Sequence, residues 1–226
     1  MRLQNCLVEN ASEFSHFEYL RDASEIAILA LAVDGESSES TIPLGLRATL
    51  RSATSARHAA LDSALGQAFS DVEHYVAFLS ASHAAVSGIE PELVRFGLAT
   101  STERLTRLEA DLLSLGAPLT KRRSTSGMPD SVAAAYGAAY VLEGSSLGGL
   151  TLAKRVEGAL GVSATRYLRL RGAETMHHFR RFVAELDAWG AQASQVERQL
   201  AIRGADAAFA AYEHWFAVDG LLTEST

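Results

Sequence analysis

One histidine lies on the apolar stripe of a predicted helix, where an imidazole can serve as a metal ligand. The stripe follows steps of four and three residues, the spacing of one buried helix face, through Leu46, Leu50, Thr54, His58, Leu61 and Leu65. His58 has Asp62 one turn later and Arg51 about two turns earlier. Because a histidine in such a place is more often a core or boundary residue than a ligand, the spacing alone leaves both roles open.

A second unusual segment, SVAAAYGAAYVLEGSSLGGLTLAKRV, begins at Ser131. Its flanks are strongly helical, but its centre is rich in glycine and serine, and each interior glycine costs roughly 1 kcal/mol relative to alanine. Four positions share one helix face, next to a kink predicted at Gly148-Gly149: Gly137, Val141, Gly144 and Gly148. The sequence leaves two explanations, which are close helix–helix packing through small residues and a flat ligand lying against the helix backbone.

Other site chemistries fit the residues less well. Glu174 and His177 have the Glu-x-x-His spacing of a di-iron bundle, but that site needs two such pairs in the domain. The run from Gly144 to Gly148 echoes a nucleophile elbow only superficially, since no strand precedes it. The single cysteine, Cys6, excludes an internal disulfide and any cysteine-based zinc or iron–sulfur site.

The elements that must position these residues are helices. The chain is rich in alanine, leucine, arginine and glutamate and shows no alternating strand pattern, which predicts an all-α domain of about six or seven helices. Ser70 is the predicted N-cap of one helix, and residues 130–160 are predicted to form two helices or one bent helix. Further helices are expected over 172–192 and 195–218, and the four prolines are expected only at helix starts or in loops.

Composition and charge define the class of protein. The 226 residues are 48% hydrophobic and 21% charged, as in a globular chain with one domain and an appendage. The net charge of −7 argues against sequence-independent nucleic-acid binding. No apolar run is long enough for a membrane span. The acidic residues near the start do not fit a secretory signal, so we expect no such signal and a cytoplasmic location.

The charge is unevenly distributed along the chain. Residues 1–43 hold eight acidic and two basic side chains, so they form a predicted acidic appendage and linker that precedes the folded domain, 44–222, and a tail, 223–226. The domain is nearly neutral, and between 166 and 181 five arginines face one glutamate. This local excess of positive charge predicts room for a small anionic ligand.

Two motifs together resemble a known family. LRSATSARHAALD, from Leu50 to Asp62, is similar to the first helix of the haem oxygenase family, and YVLEGSSLGG, from Tyr140 to Gly149, is similar to its distal helix in bacterial members. The resemblance covers about residues 44–220. It implies a single-domain, haem oxygenase-like, multi-helical bundle.

The resemblance also implies roles for individual residues. His58 matches the axial ligand of the haem iron, and Arg51 matches a base that pairs with a haem propionate. Ser145 or a neighbour takes the place of an aspartate that organises water in well-known members. The remaining matches are the distal glycines, two candidate tyrosine contacts and two candidate propionate bases: Gly144, Gly148, Gly149, Tyr136, Tyr140, Arg180 and Arg181.

The implied activity is oxidative cleavage of haem, which is both substrate and cofactor, to biliverdin, carbon monoxide and ferrous iron. Dioxygen and electrons from a ferredoxin or reductase would be required, and the alpha isomer is the default. Bacterial members of this type often accompany a bacteriophytochrome and supply its bilin. The missing aspartate leaves open a haem-binding sensor or carrier without turnover, and a plain helical interaction protein remains the third possibility. A thiaminase-like relative is disfavoured because Cys6 lies in the appendage.

Overall fold

The computed structural model describes residues 45–65, 69–99, 102–119, 121 and 128–222, so the predicted appendage and tail lie outside the described residues. Over these residues the chain is all-helical, as the sequence predicts, with seven α-helices, one 3-10 turn at Gly172–Glu174 and no strand. The helices are α1 (Leu46–Leu65), α2 (Val72–Arg95), α3 (Glu103–Ser114), α4 (Val132–Ser145), α5 (Gly149–Leu160), α6 (Thr175–Gln192) and α7 (Gln195–Val218).

Helices α4 and α7 share the most extensive contact in the fold. Both are alanine-rich where they meet, and their backbones approach closely at two reciprocal glycines. A Cβ placed on Gly137 would lie 1.8 Å from the carbonyl oxygen of Ala201, and one on Gly204 would lie 2.0 Å from that of Ala134. These glycines therefore serve helix packing, the first of the two explanations that the sequence left open.

The stripe predicted for α1 faces the core. Leu46, Leu50, Thr54 and Leu61 are buried, and His58 is half-buried. The hydroxyl of Thr54 donates to the carbonyl oxygen of Leu50 at 2.8 Å, so it is satisfied within the helix. The apolar stripe thus fixes which face of α1 carries His58 toward the interior.

Two local predictions for α2 are wrong. The N-cap is Asp71, whose carboxylate accepts the backbone N–H of His74 at 2.9 Å, while the Ser70 hydroxyl only donates to Asp71. Pro91 lies inside the helix rather than at a start or in a loop. Proline has no N–H, so the helix loses one backbone hydrogen bond at Pro91. Burial of Ile89 and Leu93 on either side stabilises the helix enough to compensate for that loss.

The glycine-rich segment forms two helices with a break between them. Ser131 caps α4 by accepting the N–H of Ala134, α4 ends at Ser145, and α5 starts at Gly149. The turn is closed by Leu147 N–H donating to Gly144 O at 3.0 Å and Gly149 N–H donating to Ser146 O at 3.2 Å. At the kink predicted at Gly148-Gly149, one helix therefore ends and a second one begins.

The loop after α5 is held by arginine–carboxylate pairs. Arg166 lies 3.1 Å from buried Asp111 of α3, and Arg169 lies 2.7 Å from Glu157 of α5. Hydrogen bonds from Arg169 and Thr165 lower the pKa of Glu157 to about 2. The charges of Arg166 and Arg169, which sequence counting assigned to a local excess that could receive an anionic ligand, are therefore used to attach the loop to the helices.

Candidate functional site

A cavity opens between α1, α2, α4, α5, α7 and the loop after α5. The space between these elements, including the open solvent at its mouth, is about 820 Å³. Most of the cavity surface is apolar, and the remainder comes from an imidazole, several hydroxyl groups and the backbone of glycines. Its lining residues are His58, Leu61, Leu65, Phe78, Ser82, Val141, Gly144, Ser145, Ser146, Gly149, Leu152, Tyr167, Leu168, Phe209, Tyr212 and Phe216.

The imidazole of His58 enters the cavity from α1. Its ring packs edge-on against Phe209 of α7, with ring centroids 4.4 Å apart and an interplanar angle of 73°. This contact orients the ring, because an edge-to-face pair restricts rotation about the side-chain bonds. The cavity therefore presents a nitrogen donor held in position by an aromatic neighbour.

Gly144 gives the cavity a stretch of bare helix backbone. A Cβ built on this residue would have nothing within 4 Å, although the residue lines the cavity near the end of α4. The space that a side chain would fill is therefore part of the cavity itself. This matches the second explanation for the glycines, a surface against which a flat molecule can lie.

Gly149 lines the same cavity for a different reason. A Cβ on Gly149 would lie 2.1 Å from the carbonyl oxygen of Leu168, so its missing side chain admits the loop after α5. Gly148 is buried just before α5 and does not line the cavity. Of the three glycines that resemble the family's distal glycines, Gly144 alone leaves open space at the cavity.

The two serines that follow Gly144 direct their hydrogens away from the cavity. Ser145 and Ser146 both donate to the carbonyl oxygen of Leu142, at 2.9 and 3.2 Å. A hydroxyl has a single hydrogen to donate. In this arrangement both serines offer only acceptor lone pairs to a bound molecule.

A buried chain of charges supports the end of α4 from behind. The guanidinium of Arg104 donates to Leu142 O at 3.3 Å and to Glu143 at 2.8 Å, and Glu143 also binds Arg171. Fully buried Glu90 accepts the backbone N–H groups of Arg104 and Leu105, each at 3.0 Å. The chain therefore ties α2, α3 and the loop after α5 to the last turn of α4.

Each charge of this chain compensates another. Burial alone would lower the pKa of Arg104, but the carboxylates of Glu143 and Glu90 raise it. Burial alone would raise the pKa of Glu143, but Arg104 and Arg171 hold it below its ordinary value. Sequence analysis missed this cluster, and a glutamate between the apolar neighbours of α2 was the one signal that could have shown it.

The lowered pKa of Glu143 predicts acid sensitivity of the fold. Its carboxylate contributes stability above its unfolded pKa of about 4.3, and this contribution is lost as the pH falls through the lower folded value. We expect the free energy of unfolding, from urea titrations, to decline below about pH 5. In Glu143→Gln we expect a lower stability at neutral pH and a shallower decline.

The control for this prediction is Glu103→Gln, which removes an exposed pair with Arg107. That variant should keep both the neutral-pH stability and the slope of the wild type, because exposed ion pairs contribute little. Equal slopes for the wild type and Glu143→Gln would contradict the assignment of acid sensitivity to this carboxylate.

Comparison with solved structures decides the fold. The chain matches the crystal structure of the NO- and CO-bound haem oxygenase from Neisseria meningitidis with a TM-score of 0.67 and 26% sequence identity, covering 81% of this chain and 96% of that one. The chain has the haem oxygenase fold. No family model matches the sequence, and no curated protein matches it.

Within this haem oxygenase fold, the cavity brings together four of the predicted site residues: His58, Gly144, Ser145 and Gly149. The two tyrosines of α4 belong instead to the core. Tyr136 stacks on Trp189 of α6 with centroids 4.5 Å apart. Tyr140 is buried, and burial raises its pKa, although the positive charges of Arg47 and Arg51 partly offset this rise.

None of the predicted propionate bases lines the cavity. Arg51 is exposed on α1, about 10 Å along the helix axis from His58. Arg180 and Arg181 are exposed on α6. Any contact of these three arginines with a carboxylate of a ligand would therefore lie outside the cavity.

Two further findings concern metal sites and membrane spans. Among the described residues, no three or more histidine, cysteine, aspartate or glutamate side chains come together as a metal site, so Glu174 and His177 form no such cluster. In the same part of the chain, no helix combines the length and the apolar character that crossing a bilayer requires.

Proposed function

We propose that this protein is a haem oxygenase that cleaves haem to biliverdin, carbon monoxide and ferrous iron. The observation that carries the proposal is one apolar cavity lined by an imidazole on α1 and by the open backbone at Gly144 on α4. The match to a haem oxygenase structure supports it. The sequence motifs that surround His58 and Gly144 support it independently.

The residues present fit a bound haem. A neutral imidazole is a known axial ligand of haem iron, and His58 is the one histidine that lines the cavity among the described residues. The open space at Gly144 admits a flat macrocycle close to the helix backbone. The apolar side chains around them suit the faces of a porphyrin, so the lining offers a nitrogen donor and apolar contact for haem.

Bound haem supplies the iron that activates dioxygen and the macrocycle that is cleaved. The protein's part would be to bind and orient it: His58 would hold the iron, and its edge-on contact with Phe209 would orient the imidazole. The apolar lining excludes bulk water from the reacting face. Arg51, with Arg180 and Arg181, would pair with the two propionates at the surface, which sets the rotation of the haem and hence the isomer, alpha by default.

Hemin titration tests the binding step. Purified protein should develop a Soret band with one equivalent of hemin, and His58→Ala should lose the axial ligand, shift that band and bind roughly 100-fold more weakly. Added imidazole should restore the band position. The matched control is His177→Ala, which removes an exposed histidine of α6 and should bind like the wild type; equal binding by His58→Ala would contradict the proposal.

A turnover assay tests the chemical step. With ascorbate or a ferredoxin system as electron donor, the hemin complex should lose its Soret band and yield bilin absorbance.

A second candidate function, a haem sensor or carrier without turnover, is favoured by the polar groups of the cavity lining. The described lining residues include no carboxylate, and both serines after Gly144 donate to the carbonyl oxygen of Leu142, away from the cavity. Hemin binding without bilin would select that candidate, and a large gain of turnover in Ser145→Asp would show that the missing carboxylate limits the site.

We further propose that the biliverdin supplies the chromophore of a bacteriophytochrome, with a ferredoxin or reductase as redox partner. The support is the resemblance of YVLEGSSLGG to the distal helix of bacterial members of the family. Co-expression with a phytochrome apoprotein should yield a photoactive holoprotein. An uncoloured phytochrome, from cells in which the oxygenase is active, would overturn this assignment.

A further inference from the structure

The start of α1 and the second half of α6 meet at one junction. The carboxylate of Asp187 accepts the backbone N–H of Arg47 at 2.9 Å, and a Cβ on Gly190 would lie 2.6 Å from that of Leu46. Gly45, the first described residue, lies against the same carboxylate, because a Cβ there would be 2.9 Å from Asp187 Oδ1. The part of the chain that precedes the described domain therefore joins it at this junction.

Four arginines lie close to the junction, and we call the surface that they form the basic junction. Arg47 and Arg51 are about one turn apart on α1. Arg180 and Arg181 lie about two turns before Asp187 on α6. At a rise of 1.5 Å per residue, all four backbones lie within about 11 Å of the junction along their own helix. Arg51, Arg180 and Arg181 are exposed, and Arg47 is half-buried, so their charges are available at the surface.

The arginines of the basic junction form no ion pair with a carboxylate of the described residues. Arginines elsewhere in the described chain, such as Arg57, Arg104 and Arg169, do form such pairs. Two acidic side chains lie on the same part of α6, exposed Glu185 and the Asp187 carboxylate that accepts the N–H of Arg47. Four arginines against two carboxylates leave the basic junction with an excess of positive charge.

The segment that joins the protein at this surface carries the opposite charge. Residues 1–43 hold eight acidic and two basic side chains, a net charge of −6 in a chain whose total is −7. Glu39 is six residues before Gly45, and six extended residues span about 20 Å, so even the nearest acid can reach the arginines. The acidic residues are Glu9, Glu13, Glu18, Asp22, Glu25, Asp34, Glu36 and Glu39.

Attachment to the same chain favours this segment over any separate acidic molecule. A short linker holds a tethered group at an effective concentration on the order of millimolar, and the polar stretch from Gly35 to Thr41 has the composition of a linker. Exposed ion pairs contribute little one by one, but several that form together with a tethered partner add to one another. A separate acidic molecule would need a comparable concentration to compete.

We propose that the acidic segment, residues 1–43, binds the basic junction of α1 and α6 through ion pairs with its arginines. It occupies three of the side chains that the proposed function assigns to ligand carboxylates, so a porphyrin must displace the segment before its propionates can pair there. Binding of the segment follows from the charges and the point of attachment, and only the displacement rests on the proposed function. The segment acts as an internal competitor for anionic ligands at these arginines.

A nitroxide label in the haem-free full chain tests the binding. Because Cys6 is the single cysteine, Ser24→Cys in a Cys6→Ser background places one label among the acids of the segment. We expect the label to broaden the amide NMR signals around Arg51 and Arg180, and the broadening to disappear in about 1 M salt, where the Debye length is about 3 Å. Signals around these arginines that are no broader than those of α5 at low salt would overturn the proposal.

Charge variants of the labelled protein identify the partners. Arg51→Gln and Arg180→Gln should each raise the ratio of free to bound segment roughly twofold, the effect of about one exposed ion pair. The matched control is Lys154→Gln, which removes an exposed charge from α5, a helix without extensive contact with α1 or α6, and it should leave the broadening unchanged. Glu18→Gln with Asp22→Asn tests the other side of the pairs without altering the helices. Equal broadening in all of these variants would contradict binding through ion pairs.

Zinc protoporphyrin separates this proposal from the proposed function. It carries two propionates and is diamagnetic, so the nitroxide remains the source of the broadening. When its absorbance shows that it is bound, the broadening around Arg51 and Arg180 should fall, because the propionates take the arginines. A bound porphyrin with unchanged broadening would overturn the displacement. A protein that binds no porphyrin would refute the proposed function and the displacement with it, while binding of the segment would still stand or fall on the salt-sensitive broadening.

Discussion

Gly137→Ala is expected to lower the free energy of unfolding by about 3 kcal/mol, the upper range for overpacking a core. The new Cβ would lie 1.8 Å from the carbonyl oxygen of Ala201 and 2.7 Å from the amide nitrogen of Ala205. Both atoms belong to the backbone of α7, so no side-chain rotation can relieve the contact. Relief requires the backbones of α4 and α7 to move apart at this point of the largest helix contact in the fold.

Urea titration and thermal melting measure this effect, and a melting temperature lower by roughly 6–12 °C is expected for a domain of this size. Gly204→Ala, which meets Ala134 O at 2.0 Å, should have a similar cost. The double variant should lose less than the sum, because the first substitution already separates the helices.

The control is Gly158→Ala on α5. Gly158 is exposed and a Cβ there has nothing within 4 Å, so alanine should stabilise the helix by up to about 1 kcal/mol. If Gly137→Ala and Gly158→Ala changed the stability equally, the glycines between α4 and α7 would not be packing residues.

The glycines of α4 show where sequence analysis reaches its limit. Gly137 and Gly144 share a predicted helix face, and the sequence offers the same two explanations for both. The structure divides them, because Gly137 meets the backbone of α7 and Gly144 meets the cavity. The residue that distinguishes them, Ala201, lies far along the chain, and no local spacing reveals which helix will cover which glycine.

Helix positions were predictable where the signal is local. The apolar stripe of α1 and the two helices on either side of Gly148 are set by spacing and glycine content, and the structure confirms them. The cap at Asp71 and the proline inside α2 were not predictable. The cap depends on which of two adjacent side chains, Ser70 or Asp71, accepts the free N–H at the start of the helix. The proline depends on burial of Ile89 and Leu93 by helices that the local sequence does not contain.

The candidate site was predictable in part for the same reason. His58 and Gly144 lie in motifs that resemble a family, so their meeting in one cavity was expected. The buried ion pairs of Arg104 were not predictable, because the leucine periodicity around Arg104 predicts a helix but not a buried arginine. The place of Tyr167 in the cavity lining was not predictable either, because Tyr167 lies in a loop without a motif. Charge counting alone was misleading here, since the arginines at 166, 169 and 171 form ion pairs with carboxylates of three helices.

Gly144→Leu is expected to weaken hemin binding on the order of 100-fold, equivalent to about 2.8 kcal/mol, while the protein stays folded. A Cβ at this position meets no atom within 4 Å, so the backbone admits a side chain here, and the rest of a leucine would occupy cavity space. Replacing a glycine near the end of α4 with a good helix former also favours the helix by up to about 1 kcal/mol. The loss therefore falls on the ligand and leaves the fold intact.

Hemin titration followed by the Soret band, with a melting curve of each variant, separates these two effects. Gly144→Ala should retain most of the affinity, because a methyl group takes little of the cavity, and Gly158→Leu should retain all of it, because that exposed position is outside the cavity lining. An unchanged affinity in a folded Gly144→Leu would mean that the ligand does not lie against α4. The helix backbone would then be free of the role that the haem oxygenase proposal gives it, and His58 alone would remain as the contact on which binding depends.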